Sequence, residues 1–309
     1  MSNDGPKLLL IDGNNMSHRV FWTHQELSYK GKYTGLLFGF LRQLIFLRKK
    51  FPEHFLVVAW DKGYARRKAE SKAGVAAGIV PSAYKEPREI AKAEAEIDPK
   101  KQEELECLMT QMDQMKDEIL PLVRCTQAIV PGVEADDLIY TYCHYAHKWK
   151  GQAIVVSSDK DFYQVLGIGD DVLIFDAMKD ETWTAERVKM EFAFGSELWV
   201  DFGALVGDKG DNIFGVDGWG TKTAGDYIRQ YGTLESILEA VRAKPKMSKK
   251  EQVLLASIPR MTLARSLKKM DEIPNIPRPR SDKKDYQALY NKFLEYGFMS
   301  IIKDVKLLT

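Results

Sequence analysis

Lys7-Leu8-Leu9-Leu10-Ile11-Asp12 is a short run of large aliphatic side chains that ends in an aspartate. The run is too short for an ordinary helix, and its residues do not alternate between apolar and polar as they do in a strand with one solvated face. A continuous apolar run of this length is typical of a parallel strand that is covered on both faces. It therefore predicts the first strand of a buried parallel sheet.

Similar runs recur along the chain, and helical patterns lie between them. The further predicted strands are Phe55–Asp61, Ala153–Asp159 and Val172–Asp176. The predicted helices are Gly35–Lys50, a charged stretch from Arg88 to about Leu120, and Ala135–Lys150. This alternation predicts an α/β fold with a central, mostly parallel sheet flanked by helices.

Two segments differ from this pattern in composition. Residues 62–120 carry many charges of both signs around a small and apolar stretch, Ala73–Val80, which predicts an arch or clamp inserted outside the core. After Asp176 the chain becomes helical, and residues 242–309 hold 16 Lys and Arg against 7 Asp and Glu, a net charge of +9. That basic tail suits phosphate contact and a solvated helical face equally well. We expect an α/β core over 1–190 and a helical subdomain over 191–309.

The composition excludes several classes of protein. The 309 residues are 45% hydrophobic and carry a net charge of +1, so the overall charge does not itself indicate a nucleic-acid binder. Cys107, Cys125 and Cys143 form no Cys-x-x-Cys pair, which argues against a disulfide framework or a zinc knuckle. The N-terminus, Met1–Lys7, is polar, and the apolar stretch Leu36–Leu47 is too short to span a bilayer. We expect a soluble cytoplasmic protein.

Acidic residues are concentrated where the predicted strands end. Asp12, Asp61 and Asp159 each end a predicted strand, and the carboxyl ends of parallel strands lie along one edge of a sheet, where ligands bind. One such aspartate would often be a simple helix cap, but three are harder to explain in that way. Further acids follow in tight groups: Glu134, Asp136, Asp137, Asp161, Asp208 and Asp211.

Nine carboxylates at one sheet edge would raise one another's pKa values, so they require bound cations at neutral pH. Oxygen ligands without His or Cys favour Mg²⁺ or Mn²⁺ over Zn²⁺. Two such ions can activate water and stabilise the leaving oxygen in phosphodiester hydrolysis. The group Glu134–Asp137 has a simpler explanation by itself, because acids stabilise a helix N-terminus. Glu134 and Asp136 can converge only if Glu134 lies at the helix cap.

The order and spacing of these motifs resemble the 5′-nuclease superfamily, which contains flap endonucleases, phage 5′–3′ exonucleases and the nuclease domain of bacterial DNA polymerase I. The resemblance covers roughly residues 7–240 and is strongest to stand-alone bacteriophage-type 5′–3′ exonucleases and to the nuclease domain of bacterial DNA polymerase I. The matching segments are Leu10–Asn15 with Arg19, Asp61–Gly63 with Arg66 or Arg67, Tyr84–Arg88, Glu134–Asp137, Ser158–Asp161, Gly207–Asn212 and the Gly-rich Gly215–Ala224. Two departures are the long spacing from Asp61 to Tyr84 and an aromatic residue, Trp219, in the Gly-rich turn.

The resemblance implies a PIN-like or resolvase-like nuclease with a helical arch and a C-terminal helix–three-turn–helix. One metal ion would be surrounded by Asp12, Asp61, Glu134, Asp136 and Asp159. A second would be surrounded by Asp161, Asp208 and Asp211, with Asp159 shared, and Asp137 would support the ligands. Lys85 would place a cation near the scissile phosphate, Tyr84 would stack on a base, and Arg88 would steer phosphates.

The expected DNA-binding residues are Arg19, Arg66, Arg67, Gly215, Gly218, Gly220, Thr221, Lys222 and Thr223. The glycines allow positive φ and the close approach of a phosphate to backbone amides, at the start of the following helix. Without that role the segment is an ordinary interhelical turn. The implied cofactors are two Mg²⁺ ions, for which Mn²⁺ substitutes, with K⁺ a candidate at the turn. The implied partners are branched or 5′-ended DNA, with RNA–DNA hybrids and replication proteins as candidates, and the chain is expected to act as a monomer in replication or repair.

Two alternative functions stay open from the sequence. A PIN-like single-strand ribonuclease would share the acidic sheet edge but would not need the Gly-rich turn after Asp211. A non-catalytic protein that binds branched DNA would gain nothing from nine acids on a surface that meets a polyanion. Cleavage of a labelled flap with and without Mg²⁺ distinguishes the three.

Overall fold

A computed structural model of the chain describes residues 5–95, 98–280, 282 and 284–309. Residues 1–4 of the predicted polar N-terminus, 96–97 of the predicted arch, and 281 and 283 of the basic tail lie outside the described residues. The described residues form two compact units. The first contains those up to Lys62, Ala93–Val156 and Glu272–Thr309, and the second contains Gly63–Lys92 and Ser157–Asp271. The predicted division into 1–190 and 191–309 stays a prediction.

The strands, in chain order, are β1 (Lys7–Asp12), β2 (Ser28–Tyr29), β3 (Lys32–Tyr33), β4 (Phe55–Trp60), β5 (Cys125–Ile129), β6 (Gln152–Val156), β7 (Val172–Asp176), β8 (Glu181–Trp183), β9 (Gly207–Asp208) and β10 (Ile213–Phe214). The helices are α1 (Gly13–Thr23), α2 (Gly35–Lys50), α3 (Ala65–Ala76), α4 (Glu86–Ala95), α5 (Pro99–Gln114), α6 (Ala135–Lys148), α7 (Ala185–Phe192), α8 (Trp199–Val206), α9 (Thr221–Tyr231), α10 (Leu234–Arg242), α11 (Lys249–Ala256), α12 (Ile258–Lys268) and α13 (Tyr286–Glu295). Short 3₁₀ helices include Lys160–Gly167.

Four parallel strands form the centre of the first unit. β1 pairs with β4 on one side and with β6 on the other, and β5 pairs with the far side of β4. Leu8, Leu9, Leu10 and Ile11 are at most 1% exposed, because α1 and α6 pack against these strands. The prediction that residues 7–12 form a covered parallel strand is confirmed.

Helix α5 belongs to the core of the first unit. Leu108 and Met112 are buried, and the side-chain oxygen of Gln111 accepts a hydrogen bond from Leu36 N at 3.0 Å, which caps the start of α2. The long charged stretch predicted from Arg88 to Leu120 therefore contains α4 and α5 rather than one helix, and Pro99 at the first turn of α5 explains the break.

The second unit is mainly helical and also contains two antiparallel pairs, β7 with β8 and β9 with β10. Its core cluster holds Tyr84, Ala204, Ile213, Ala264 and Leu267. Helix α3 approaches α12 so closely that a Cβ on Gly74 would lie 2.4 Å from Leu263 Cδ2. The prediction that residues 62–120 lie outside the core is therefore wrong for α3 and α5.

Among the described residues, no helix is both long enough and apolar enough to cross a membrane. Cys107, Cys125 and Cys143 are free thiols, as expected from their spacing.

Candidate metal centre

The first unit places two aspartates at the carboxyl ends of neighbouring strands. Asp12 is the last residue of β1, and its Oδ1 accepts a hydrogen bond from Asn15 N at 2.9 Å at the start of α1. Asp61 comes directly after β4, and its Oδ1 accepts one from Ala135 N at 2.7 Å. Because Asp12 is in register with Ala59, both aspartates lie at the same edge of the sheet, where the sequence predicted them.

The acids of α6 lie at the helix start to which Asp61 is bonded. Glu134 occupies the N-cap with an extended backbone, and Asp136 and Asp137 lie in the first turn. Glu134 and Asp137 are buried, at 4% and 5% exposure, whereas Asp136 is half-buried. Glu134 and Asp136 can converge only if Glu134 lies at the helix cap, and Glu134 does lie there. The N-terminal amides of α6 favour carboxylates there.

The second unit holds the other four predicted metal ligands: Asp159, Asp161, Asp208 and Asp211. Asp159 caps the 3₁₀ helix Lys160–Gly167, because its Oδ1 accepts a hydrogen bond from Asp161 N at 2.8 Å. Asp208 Oδ1 accepts hydrogen bonds from Gly210 N at 2.8 Å and from Asp211 N at 3.3 Å. These backbone donors fix one oxygen of each aspartate and so fix the direction of the other.

A lysine that the sequence did not single out lies between two of these acids. Lys268 Nζ is 2.7 Å from Asp161 Oδ2 and 2.7 Å from Asp208 Oδ2, and its side chain is 8% exposed. Burial alone would lower the pKa of Lys268, but the two carboxylates outweigh burial and raise it. Lys268 is 107 residues from Asp161 and 60 from Asp208, so no local motif could have revealed it.

The same contacts act in opposite directions on the two acids. Burial raises the pKa of Asp161 in spite of the nearby ammonium. Burial also acts to raise the pKa of Asp208, but hydrogen bonds from Lys268 and from two backbone amides outweigh it, so that the pKa is lowered. Asp208 is thus the better stabilised carboxylate of the pair.

The Tyr84–Arg88 segment contacts the last acidic motif within the second unit. Arg88 Nη2 lies 2.6 Å from Asp211 Oδ1, and Arg88 Nε donates to Gly210 O at 2.9 Å. Lys85 N donates to Asp211 O at 2.9 Å, and its Nζ lies 5.1 Å from the centroid of the Tyr84 ring. Tyr84 itself is 5% exposed in the core cluster. The predicted stacking of Tyr84 on a base is therefore wrong, since its ring already packs inside the protein.

Arg66 and Arg67 bind the end of α12 instead of standing free on an arch. Arg67 is 5% exposed, and it donates from Nε to Leu267 O at 2.8 Å and from Nη2 to Lys269 O at 3.1 Å. Arg66 donates from Nη1 to Ser266 O at 2.9 Å and pairs with Asp271. These bonds satisfy the last carbonyls of a helix, which have no partner within it. The predicted phosphate contact is wrong for buried Arg67, and for the partly exposed Arg66 it stays a prediction.

The three predicted glycines of the Gly-rich turn have three different environments. Gly218 has a φ of 75°, as expected. A Cβ on Gly215 would lie 2.5 Å from Gly207 N, so Gly215 is required by close backbone approach. Gly220 has a φ of −101° and nothing within 4 Å of a Cβ, so of the three glycines only Gly218 uses the positive φ that glycine allows.

Space is open in front of Gly218 and Gly220, and α9 begins there with exposed Thr221 and Lys222 and half-buried Thr223. Trp219 is buried at 5% exposure, and its ring lies 4.6 Å from that of Tyr227. The aromatic residue therefore anchors the turn.

Arg19 lies half-buried in α1, and its predicted DNA contact stays a prediction.

The chemistry of the nine predicted ligands suits a hard divalent cation, because all of them are carboxylates. Asp161 and Asp208 already hold a cation, the Lys268 ammonium, at hydrogen-bond distance. Within the described part of the chain, no group of three or more His, Cys, Asp or Glu side chains is arranged to hold a metal ion. In the second unit, Lys268 contacts Asp161 and Asp208, and Arg88 contacts Asp211.

Two family profiles match the sequence in succession. Residues 7–193 match the 5′–3′ exonuclease N-terminal resolvase-like domain, and residues 194–284 match the 5′–3′ exonuclease C-terminal SAM fold. The chain is 32% identical over 304 residues to a 5′–3′ exonuclease of Aquifex aeolicus (strain VF5). The aligned region covers 96% of this chain and 94% of that protein. It is 29% identical over 240 residues to a thermostable DNA polymerase I of Thermus filiformis, covering 77% of this chain but 26% of that protein.

Solved structures with the same fold include T5 5′-exonuclease with bound zinc, at a TM-score of 0.67 and 22% identity, covering 85% of this chain and 89% of that one. The catalytic core of Rad2 in complex with DNA substrate has a TM-score of 0.59 and 14% identity, covering 98% of this chain and 93% of that one. At these identities the likeness concerns the fold, a resolvase-like domain followed by a helical domain. The predicted fold class is thereby confirmed.

Proposed function

Because the chain belongs to the 5′–3′ exonuclease and flap endonuclease family, we propose that it hydrolyses phosphodiester bonds near 5′ ends of DNA with two divalent metal ions. The observation that supports this most is the fixed orientation of the acids. Asp12, Asp61, Asp159 and Asp208 each accept a backbone N–H bond of 2.7 to 2.9 Å. Such preorganisation means that these groups need little reorientation when charge develops during the reaction.

We assign the acids to ions unit by unit. Asp12, Asp61, Glu134 and Asp136 would hold one ion, and Asp159, Asp161, Asp208 and Asp211 would hold the other. Bound there, Mg²⁺ or Mn²⁺ lowers the pKa of water and stabilises charge on the leaving oxygen. Asp137, which is buried in the first turn of α6, would support that turn rather than bind directly.

Lys85 is the residue proposed to contact the scissile phosphate. Its backbone N–H bond to Asp211 O places it beside the last acidic motif, and its φ of 57° is uncommon for a residue other than glycine. Arg88 is paired with Asp211, so in this proposal it orients that carboxylate as well as attracting phosphates.

The turn from Gly215 to Gly220, with Thr221, Lys222 and Thr223, would hold the phosphate backbone of the duplex. Its open space and the exposed N-terminus of α9 favour an anion. Backbone carbonyls of the same turn are the candidate ligands for K⁺. Contacts of this kind read no bases, so selectivity would be for a flap, a nick or a 5′ end. RNA-primed DNA in replication or repair is the further proposed substrate, and the monomer is the proposed active form.

The test is cleavage of a 5′-labelled DNA flap with Mg²⁺, with Mn²⁺ and with EDTA. Short 5′ products that require the divalent ion are the expected result. Tight binding of the flap without cleavage in Mg²⁺ would favour a non-catalytic binder of branched DNA. Cleavage restricted to single-stranded RNA would favour a PIN-like ribonuclease, and either outcome would overturn the proposal.

A further inference from the structure

The side chain of Lys268 occupies the place between Asp161 and Asp208 where an ion of the second unit would bind. We propose that Lys268 is a built-in cation, which balances these two acids when no divalent ion is bound and must withdraw before one can bind there. The inference rests on the proposed function, because it takes Asp161 and Asp208 as metal ligands. It adds a residue that controls how readily this site accepts its ion.

The first argument is geometric. Lys268 Nζ lies 2.9 and 2.7 Å from the two oxygens of Asp161 and 2.7 Å from Asp208 Oδ2, so the two carboxylates share a single ammonium. A Mg²⁺ or Mn²⁺ ion bound to one oxygen of each acid, at the usual distance of about 2.1 Å, would lie within about 4 Å of that ammonium. Two cations so close in a partly buried site repel strongly. Occupation by the ion and by Lys268 is therefore mutually exclusive.

The second argument is that the backbone of Lys268 is held in place. Arg67 donates a hydrogen bond to Leu267 O, and Arg66 donates one to Ser266 O. Both arginines also donate to Lys269 O. Gln164 Nε2 donates to Lys268 O at 3.2 Å. Four successive carbonyls at the end of α12 thus accept bonds from side chains of the same unit. A lysine anchored in this way is directed at the acids by the fold.

The third argument concerns the side chain itself, which can move although its backbone is fixed. Its aliphatic stem lies over Gly203 of α8, where a Cβ would be 3.6 Å from Lys268 Cγ and Cε. The glycine therefore lets the stem lie close to the backbone of α8. Lysine also carries its charge on a flexible stem without the planar fork of arginine. The ammonium can therefore withdraw while α12 keeps its position.

The experiment measures Mn²⁺ binding to the full chain without DNA, by electron paramagnetic resonance of the free ion. Lys268→Met removes the charge and keeps a stem of similar bulk. Lys209→Met is the matched control, because exposed Lys209 is adjacent to Asp208 and its loss changes the net charge by the same amount. Lys268→Gln, which keeps hydrogen-bond donors without the charge, replaces the first variant if that one fails to fold.

We expect Lys268→Met to bind Mn²⁺ at the site of Asp161 and Asp208 at least tenfold more tightly than wild type does, and Lys209→Met to change this affinity by less than about threefold, as expected for an exposed charge. Thermal melting gives a second readout, in which Mn²⁺ should raise the Tm of Lys268→Met more than that of wild type. Equal tightening in both variants, no tightening, or weaker binding in Lys268→Met would each overturn the inference.

These outcomes are distinct from failure of the proposed function. A wild-type protein that never cleaves flaps refutes the function, whatever its affinity for Mn²⁺. Mn²⁺ affinities that are the same in wild type and Lys268→Met, together with metal-dependent cleavage by wild type, refute only the role of Lys268.

Discussion

At the scale of single residues, Arg67 shows how burial reassigns a charged side chain. It lies in α3 between the half-buried Arg66 and Lys68 in sequence, yet it is 5% exposed and bonded to two carbonyls at the end of α12. A buried guanidinium is tolerated only when such bonds replace its lost hydration. Arg67 therefore contributes to stability and to the position of Lys268.

Replacing Arg67 by Met should destabilise the protein, because the carbonyls of Leu267 and Lys269 lose charged donors. We expect a loss of about 2–3 kcal/mol in the free energy of unfolding, measured by urea denaturation. Lys72→Met, at an exposed position on the same helix, should change it by less than about 0.5 kcal/mol. Unchanged stability with weaker DNA binding in Arg67→Met would restore the phosphate-binding role.

Lys85 belongs to the same scale, and its removal should separate catalysis from folding. Lys85→Ala keeps the backbone N–H bond to Asp211 O, so the protein should stay folded and bind flap DNA within a few-fold of wild type. Single-turnover cleavage should fall about 10²–10³-fold if the ammonium stabilises charge on the phosphate in the transition state. Lys92→Ala, at an exposed position on α4, is the control. The same small loss of affinity in both variants, with no loss of rate, would mean that Lys85 is an ordinary surface charge.

At the scale of elements, substitutions at two positions of the Gly-rich turn should have different effects, one on stability and the other on DNA binding. Gly218→Ala forces a side chain into a φ of 75° and should cost about 1–2 kcal/mol of unfolding free energy. Gly220→Val enters open space with a negative φ, so stability should change by less than about 0.5 kcal/mol. If a phosphate approaches there, Gly220→Val should nevertheless weaken flap binding and make its dependence on salt shallower. Fluorescence anisotropy at several salt concentrations measures both, and an unchanged slope would leave the turn a purely structural element.

The capping box of α11 should contribute to stability in a pH-dependent way. Hydrogen bonds from Lys244 and Ser248 lower the pKa of Glu251 from 4.5 to about 2. A carboxyl whose pKa is lower in the folded state stabilises the fold above pH 4.5, and this contribution is lost as the pH falls towards 2. Glu251→Gln should therefore be less stable than wild type by up to about 3 kcal/mol at pH 7, with the difference vanishing near pH 2.

Urea denaturation of wild type and Glu251→Gln at pH 7, 4.5, 3 and 2 follows that difference. The control is Glu239→Gln, at an exposed position on α10, which should track wild type throughout. A difference in stability that stays constant from pH 7 to pH 2 would show that the loss is one of packing rather than of charge.

At the scale of the whole molecule, removal of divalent ions should stop cleavage without unfolding the protein. The acids of the first unit accept bonds from backbone amides, and those of the second are paired with Lys268 and Arg88. Because these partners come from the chain, EDTA should lower the Tm by no more than about 4 °C. Circular dichroism melts with EDTA and with Mg²⁺ measure this, and a loss of cooperative unfolding in EDTA would contradict it.

The sequence alone determined those features that depend on local patterns. The apolar run before Asp12 was sufficient for β1, and helices α2 and α6 begin at the predicted residues. Strand β5 was missed, because Thr126 and Gln127 interrupt its apolar pattern and half-buried strands of this kind give a weak signal. The order of acidic motifs indicated the family, since spacing along the chain survives changes of most other residues.

Only the tertiary structure decided which charged residues face one another. Three positions depend on contacts between residues that are far apart in the sequence. They are Lys268 between Asp161 and Asp208, Arg67 under the end of α12, and Tyr84 in a core cluster. The physical reason is that hydrophobic periodicity specifies which face of an element is buried, whereas the pairing of charges depends on which distant segments the fold brings together. Patterns of sequence therefore specified the elements and the acids, and the packing of distant elements specified the partners of those acids.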